Sequence, residues 1–475
     1  MSVVIAPAAP ATVRRSATLT VLSVAQFLIA LDYSIIYIAL PSIAGDLGMD
    51  AALAQWVVSA YAVLFAGFLV VGGRLADRVG AARLFIVAII TFGIASAVGG
   101  AAEDGTVLLS ARAAQGLAAA LLQPAILGLI GTTFPAGPER SRALVVWGSV
   151  GASGLAAGAV LGGLLTTASW RLTFVVNVPL TLLCALGAAA WIGSGRGHLP
   201  PAGRIPMLAS ILGTGAVLTL VIGLTLGFGH GRSPVPTIAC LGIALVLFTG
   251  FARNEKTSHN ALIEPILRRT RSLRAGAVAT ALYMASVGSE FYLLTLLLQS
   301  MKGYTPFQAG VAFVPLAVMV AAGNTAAGRV VRRFGATGVL TGGFAIATVG
   351  LLWLSLTLQG DSYAADLLPG LVISGFGHGM IYTSMFIIGT HDVPSAHQGT
   401  AGALLTTSQY LSGALTVAVL TLALGPSPNY SGFRTAFLLT TAAAAAGLVL
   451  TARRPRLPAE IDSNTCLNES RRLGV

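Results

Sequence analysis

Gln26-Phe-Leu-Ile-Ala-Leu-Asp32-Tyr-Ser-Ile-Ile-Tyr-Ile-Ala-Leu-Pro41 decides how the rest of the chain is read. The run is apolar enough to lie in a bilayer, and it carries a carboxylate. An ionisable side chain at membrane depth costs about 2.5–3.5 kcal/mol on insertion scales. A group kept at that cost points to function, so the first questions are what Asp32 faces and what moves around it.

The surrounding composition supports a membrane setting. Of the 475 residues 55% are hydrophobic and 9% charged, with a mean hydropathy of +0.83. Soluble domains carry about 25% charged residues. The 57 glycines suit membrane helices, which approach closely through small residues. Cys184, Cys240 and Cys466 share no metal-like spacing and read as free thiols. Arg14 and Arg15 precede the first apolar run as in a signal peptide, but that run is too long and is followed by many more, so it reads as an uncleaved first helix.

Apolar segments fall near 17–40, 52–73, 82–101, 106–133, 142–166, 172–193, 205–227, 235–252, 275–299, 306–328, 336–358, 365–388, 399–424 and 433–452. This predicts an all-α integral membrane protein of fourteen spans. With a cytoplasmic N-terminus, 23 of the 28 Lys and Arg fall in cytoplasmic segments and 4 in outer loops, leaving Arg112 inside a helix. That bias predicts both termini inside, in a multi-pass protein of the cytoplasmic membrane, and it accounts for the net charge of +12 without nucleic acid.

A repeat is visible. Gly73, Arg74, Arg78 and Gly80 recur as Gly328, Arg329, Arg333 and Gly335. If these are equivalent, spans 1–6 match spans 9–14, and spans 7 and 8 are inserted between two halves. The expected division is a cytoplasmic N-terminus 1–16, a six-helix bundle 17–193, a two-span linker 194–252, a cytoplasmic loop 253–274, a second bundle 275–452 and a cytoplasmic tail 453–475. Two repeated halves with a site between them is an alternating-access architecture.

The whole chain resembles the fourteen-helix drug:proton antiporters of the major facilitator superfamily. The residues that carry the resemblance are Leu31-Asp-Tyr-Ser-Ile-Ile-Tyr-Ile-Ala-Leu-Pro41, Gln55-Trp-Val-Val-Ser-Ala-Tyr61, Gly73-Arg-Leu-Ala-Asp-Arg-Val-Gly80, Arg112-Ala-Ala-Gln-Gly116, Gly154-Leu-Ala-Ala-Gly-Ala-Val-Leu-Gly-Gly163, and Trp170-Arg171 with Asn177-Val-Pro179. Their number and order make it specific. The chain departs from the pattern at Ala159, where the antiporter motif has Pro, and at Tyr37, where the first-helix motif has Asn. It also has Ala81 and Ala82 in place of two basic residues, and Arg332 where the first copy of the repeat has Asp77. The resemblance implies a major facilitator fold and proton-coupled export of a hydrophobic small molecule, as in self-resistance exporters of antibiotic-producing actinomycetes. It implies no cofactor beyond the proton gradient.

Residue depth supplies the candidate site. At 1.5 Å per residue, Asp32 lies ~12 Å, Arg112 ~9 Å and Glu290 ~14 Å below the outer surface. The expectation is one cavity in which these charges offset one another, with Asp32 or Glu290 carrying the proton and Arg112 tuning it. A purely structural Asp32–Arg112 pair is the competing reading. Gly154, Gly158, Gly162 and Gly163 form one smooth helix face for close packing or a proton seal. Asp77, within Gly73, Arg78 and Gly80, is placed to hydrogen-bond a helix N-terminus across the halves as a conformational latch. Gln26, Tyr33, Ser34, Tyr61, Gln123, Tyr283, Tyr292, His378 and Tyr382 are candidates to line a pocket for flat, amphipathic organic molecules. No metal-spaced cluster, phosphate-binding Gly-Lys-Ser/Thr loop or catalytic triad stands out, so the chain does not read as an enzyme or an ATP-driven pump. The expected partners are substrate, protons and lipid, with the protein as a monomer. Proton-linked import of a metabolite and lipid handling remain the rival readings.

Overall fold

A computed structural model describes residues 11–49, 51–192, 206–227, 235–258, 261–425 and 429–453. Residues 1–10 of the expected N-terminal segment 1–16, most of the tail, and part of the linker lie outside the described residues. Within them the structure is all helical. Eleven helices are long and apolar enough to cross a membrane, and a twelfth span is the bent pair Arg271–Ala285 and Val287–Met301.

The first half contains α1 (Ala11–Asp46), α2 (Ala51–Val79), α3 (Ala81–Gly100), α4 (Gly105–Thr133), α5 (Pro138–Ala168) and α6 (Leu172–Trp191). Next come α7 (Met207–Gly227) and α8 (Val235–Thr257). The bent pair is α9. A continuous helical stretch, Phe307–Thr357, turns at Gly335 into α10 (307–334) and α11 (336–357). The chain closes with α12 (Tyr363–Thr390), α13 (Gln398–Leu424) and α14 (Tyr430–Ala452).

The two repeat motifs end in the same backbone device. Gly80 (φ 99, ψ 125) separates α2 from α3, and Gly335 (φ 70, ψ 162) separates α10 from α11. A positive φ reverses the chain in a single residue and is tolerated by glycine. The motif is therefore helical to Val79, beyond the apolar segment expected near 52–73. The packing repeats too. A Cβ added at Gly73 of α2 meets Ala403 Cβ on α13 at 2.6 Å, and one at Gly328 of α10 meets Val145 Cγ2 on α5 at 2.7 Å. Each repeat motif thus lies against the fifth helix of the other six-helix set, α13 in one case and α5 in the other.

The inserted helices α7 and α8 pack on each other, and α7 lies against α2 through Val63, Ala66, Val217 and Val221. On α8 the side chains of Ile238, Ile243, Leu245 and Val246 are exposed. Such a surface fits contact with lipid tails. Beyond the membrane span of α1, Asp46 accepts hydrogen bonds from Trp170 Nε1 (2.9 Å) and Arg171 Nη1 (2.7 Å). The Trp170 indole and then the Arg171 guanidinium hold its carboxyl below the usual carboxylate range.

Candidate functional site

Asp32 lies on the buried face of α1. Arg112 of α4 donates to its Oδ2 at 2.7 Å, while Asn177 of α6 and Gln115 of α4 donate to Oδ1 at 2.9 and 3.2 Å. Gln115 also donates to Ser96 Oγ at 2.8 Å, and Arg112 Nε donates to Val57 O of α2 at 2.9 Å. The guanidinium carbon stands 4.6 Å over the Tyr61 ring. Every residue of this network is at most 1% exposed. Charges with several partners can persist without water. The network ties α1, α2, α3, α4 and α6 together.

Glu290 makes no hydrogen bond or ion pair with Asp32 or Arg112 among the described residues. It opens the second segment of α9, after a break at Ser286–Ser289. It is fully buried, and Ser374 of α12 donates to its Oε1 at 2.7 Å. Its Oε2 has no partner among the described residues. Depth along the normal is a single coordinate, and it leaves each side chain's lateral position open.

Gly154 and Gly158 seat α5 directly on α1. A Cβ at Gly154 meets Phe27 O at 2.6 Å; one at Gly158 meets Leu31 O at 2.7 Å and would overlap Ser34 Oγ. Gly162 faces Ile35 O at 3.1 Å. Gly163 points elsewhere, to Phe307 of α10. Ser34, expected in the pocket, lies under Gly158 and donates to Ala30 O or Leu31 O of its own helix, so its hydroxyl is used by the backbone.

Asp77 reaches across the halves. Its Oδ1 accepts from Gly399 N at 3.0 Å, and its Oδ2 accepts from Thr400 N at 2.9 Å and from the Thr400 hydroxyl. These are first-turn amides of α13, which have no partner within their own helix. A carboxylate there also meets the positive end of the helix dipole.

Between the halves lies an aromatic group that extends the expected pocket. Trp147 of α5 stacks on Tyr382 of α12 at 5.8 Å and meets Phe386 edge-on at 5.2 Å. Tyr283 of α9 lies 5.6 Å from Tyr382 and 4.8 Å from His378, whose Nε2 it meets in a hydrogen bond. Tyr61 stacks on Phe65, which meets Tyr410 of α13 edge-on at 4.6 Å. Tyr33 lies on α1 and receives a hydrogen bond from Tyr37 at 3.4 Å; Tyr37 is 43% exposed. Several buried polar atoms have no partner among the described residues: Gln26 Oε1, Tyr61 OH, Gln123 Oε1, Trp147 Nε1, Asn324 Nδ2 and His378 Nδ1. Unmet hydrogen bonds in an aromatic surround suit a ligand that carries its own donors and acceptors. Tyr292 stands outside the group, with its hydroxyl on Thr421 Oγ1 at 2.8 Å. Trp147, Phe386, Tyr410 and Asn324 were not legible as site residues, because an aromatic or a lone amide in an apolar run looks like ordinary packing. No group of His, Cys, Asp and Glu able to hold a metal exists among the described residues.

Fold and site together define a membrane transporter of two packed helical halves. The chain matches the Major Facilitator Superfamily over residues 22–417 and belongs to that family. It is 34% identical to the puromycin resistance protein of Streptomyces alboniger, over 88% of this chain and 83% of that protein. It is also 34% identical to the cephamycin export protein of Amycolatopsis lactamdurans, over 83% of this chain and 82% of that protein. Among solved structures it is similar to the human organic anion transporter MFSD10, with a TM-score of 0.65 at 14% identity, covering 92% of this chain and 99% of that one.

Proposed function

We propose that this protein exports a hydrophobic small molecule, an antibiotic or drug, across the cytoplasmic membrane in exchange for protons. Two six-helix bundles, α1–α6 and α9–α14, rock about the site between them, with α7 and α8 inserted between them in sequence. Both termini lie in the cytoplasm, as the distribution of basic residues favours, and the working unit is a monomer. The export direction rests on the resistance and export relatives together with the helix-5 glycine motif.

One observation carries the proton coupling: Glu290 is a buried carboxyl on a broken membrane helix, with one oxygen unmatched. Burying an anion costs far more than burying the neutral acid. Gain or loss of one proton there therefore weights the closed and open arrangements differently, which is what coupling requires. Asp32, already held by three donors from two other helices, suits a role as the fixed counter-ion of Arg112. That pair positions α1 against the pocket. The aromatic group around Trp147, Tyr283 and Tyr382 receives the substrate.

Susceptibility of a sensitive bacterial host to a panel of hydrophobic antibiotics, with and without this gene, tests the reading. The expected result is lower susceptibility to at least one compound, abolished by a protonophore. Greater accumulation of any panel compound in cells carrying the gene would favour import instead.

A further inference from the structure

Arg74 and Arg329 occupy equivalent places in the two repeats, yet Arg74 is 3% exposed while Arg329 is exposed. The difference is a strap of chain, residues 261–270, that covers the first repeat and has no counterpart over the second among the described residues. Its anchor is Glu255 near the end of α8, which is 4% exposed. The Glu255 carboxylate accepts from Leu262 N at 2.7 Å and Ile263 N at 2.9 Å, and Arg268 donates to its backbone carbonyl. The strap buries its own Leu262 and Leu267 side chains. The strap is therefore a built element rather than a loose connection.

At its centre Glu264 is gripped from both halves. Arg74 of α2 donates to its Oε1 and also to Ala261 O at 3.2 Å. His397, the residue before α13, stands with Nε2 3.2 Å from the other carboxylate oxygen. Asp77 lies one turn beyond Arg74 on α2, and Gly399 and Thr400 lie two and three residues beyond His397. Two acids thus bracket the start of α13, one from α2 and one from the strap.

We infer that Glu264 is a gate-positioning residue, through which the inserted helices α7 and α8 hold the Asp77 junction closed. This rests on the alternating-access reading above. Asp77 supplies the hydrogen bonds that join α2 to the start of α13. Glu264 adds a second tie that ends on the same helix start but is anchored in the insertion, so the insertion biases the balance between the closed and open forms. The strap is 32% exposed at Glu264, so its contribution is that of a partly screened pair.

Double electron–electron resonance on the full chain in lipid nanodiscs tests this. Spin labels are placed on cysteines at the exposed positions Arg83 and Arg332, on the two halves, with Cys184, Cys240 and Cys466 replaced by alanine. Glu264→Gln is expected to raise the ratio of long to short distances about two- to fivefold, and His397→Ala, which leaves the Arg74–Glu264 pair in place, by a smaller factor in the same direction. Asp77→Asn serves as the reference and is expected to shift the distribution the same way. If Asp77→Asn shifts it and neither Glu264→Gln nor His397→Ala does, the strap has no part in the gate and the inference is overturned. If none of the three shifts it, the junction itself is not a gate and the underlying reading fails. His397→Ala also decides the matter should Glu264→Gln not fold.

Discussion

Ser374 donates to Glu290 Oε1 at 2.7 Å, joining α12 to the broken helix α9 while the second carboxyl oxygen stays without a partner among the described residues. Asp32, the acid within the membrane span of α1, has both oxygens occupied. This contrast in partners, more than depth, separates a group suited to proton exchange from one suited to structure.

The Asp32–Arg112 pair predicts strong and coupled losses of stability. Removing one member leaves the other charge buried and unmatched, which costs about 3–5 kcal/mol. Asp32→Ala and Arg112→Ala should each lower the melting temperature of the detergent-purified protein markedly. The double variant should melt above the worse of the two, because no lone charge remains. Strictly additive losses would mean that the pair is not an energetic unit.

At the α1–α5 contact, Gly158 has no room for a methyl group. Gly158→Ala forces α5 away from Leu31 and Ser34 and should cost about 1–3 kcal/mol. Ser34→Ala removes the hydroxyl that the new Cβ would overlap, so it should recover part of the loss when combined with Gly158→Ala, as read by thermal melting. A fully tolerated Gly158→Ala would show that the helices sit further apart than described.

Gly80 and Gly335 turn the chain at positive φ in equivalent places. Alanine at either costs about 1–2 kcal/mol from backbone strain. Both single variants should lose similar stability on thermal melting. A large loss at one position and none at the other would break the equivalence of the two motifs.

Trp147 offers a donor that no described residue accepts, together with a plane stacked on Tyr382. Trp147→Phe retains an aromatic ring and removes the donor. It should weaken protection against an exported compound bearing carbonyl oxygens about 5- to 30-fold, as for a hydrogen bond of ~1–2 kcal/mol. Protection against a hydrocarbon-like compound of the same size should change less. Equal losses for both would place Trp147 in packing rather than recognition.

The membrane class and the helical spans were legible because runs of about twenty apolar residues leave little else to form. The turn glycines were legible because Gly80 and Gly335 sit at a fixed offset in matching motifs. Asp32, Arg112 and Glu290 stood out as charges in apolar runs, but their grouping did not. Depth alone placed all three together, whereas Asn177 and Gln115 surround Asp32 and Ser374 meets Glu290. The strap was hidden for another reason. Glu264 reads as a loop acid, and only the fold brings it between Arg74 and His397, residues 190 and 133 positions away in sequence.

The central claim is that Glu290 couples substrate export to protons. Everted membrane vesicles supplied externally with a fluorescent substrate test it most directly, with uptake measured under an imposed pH gradient and again as downhill exchange without one. Glu290→Gln should abolish gradient-driven accumulation while downhill exchange persists within about threefold of the parent protein, since only the coupling step is lost. Gradient-driven accumulation by Glu290→Gln at the parent rate would contradict the account.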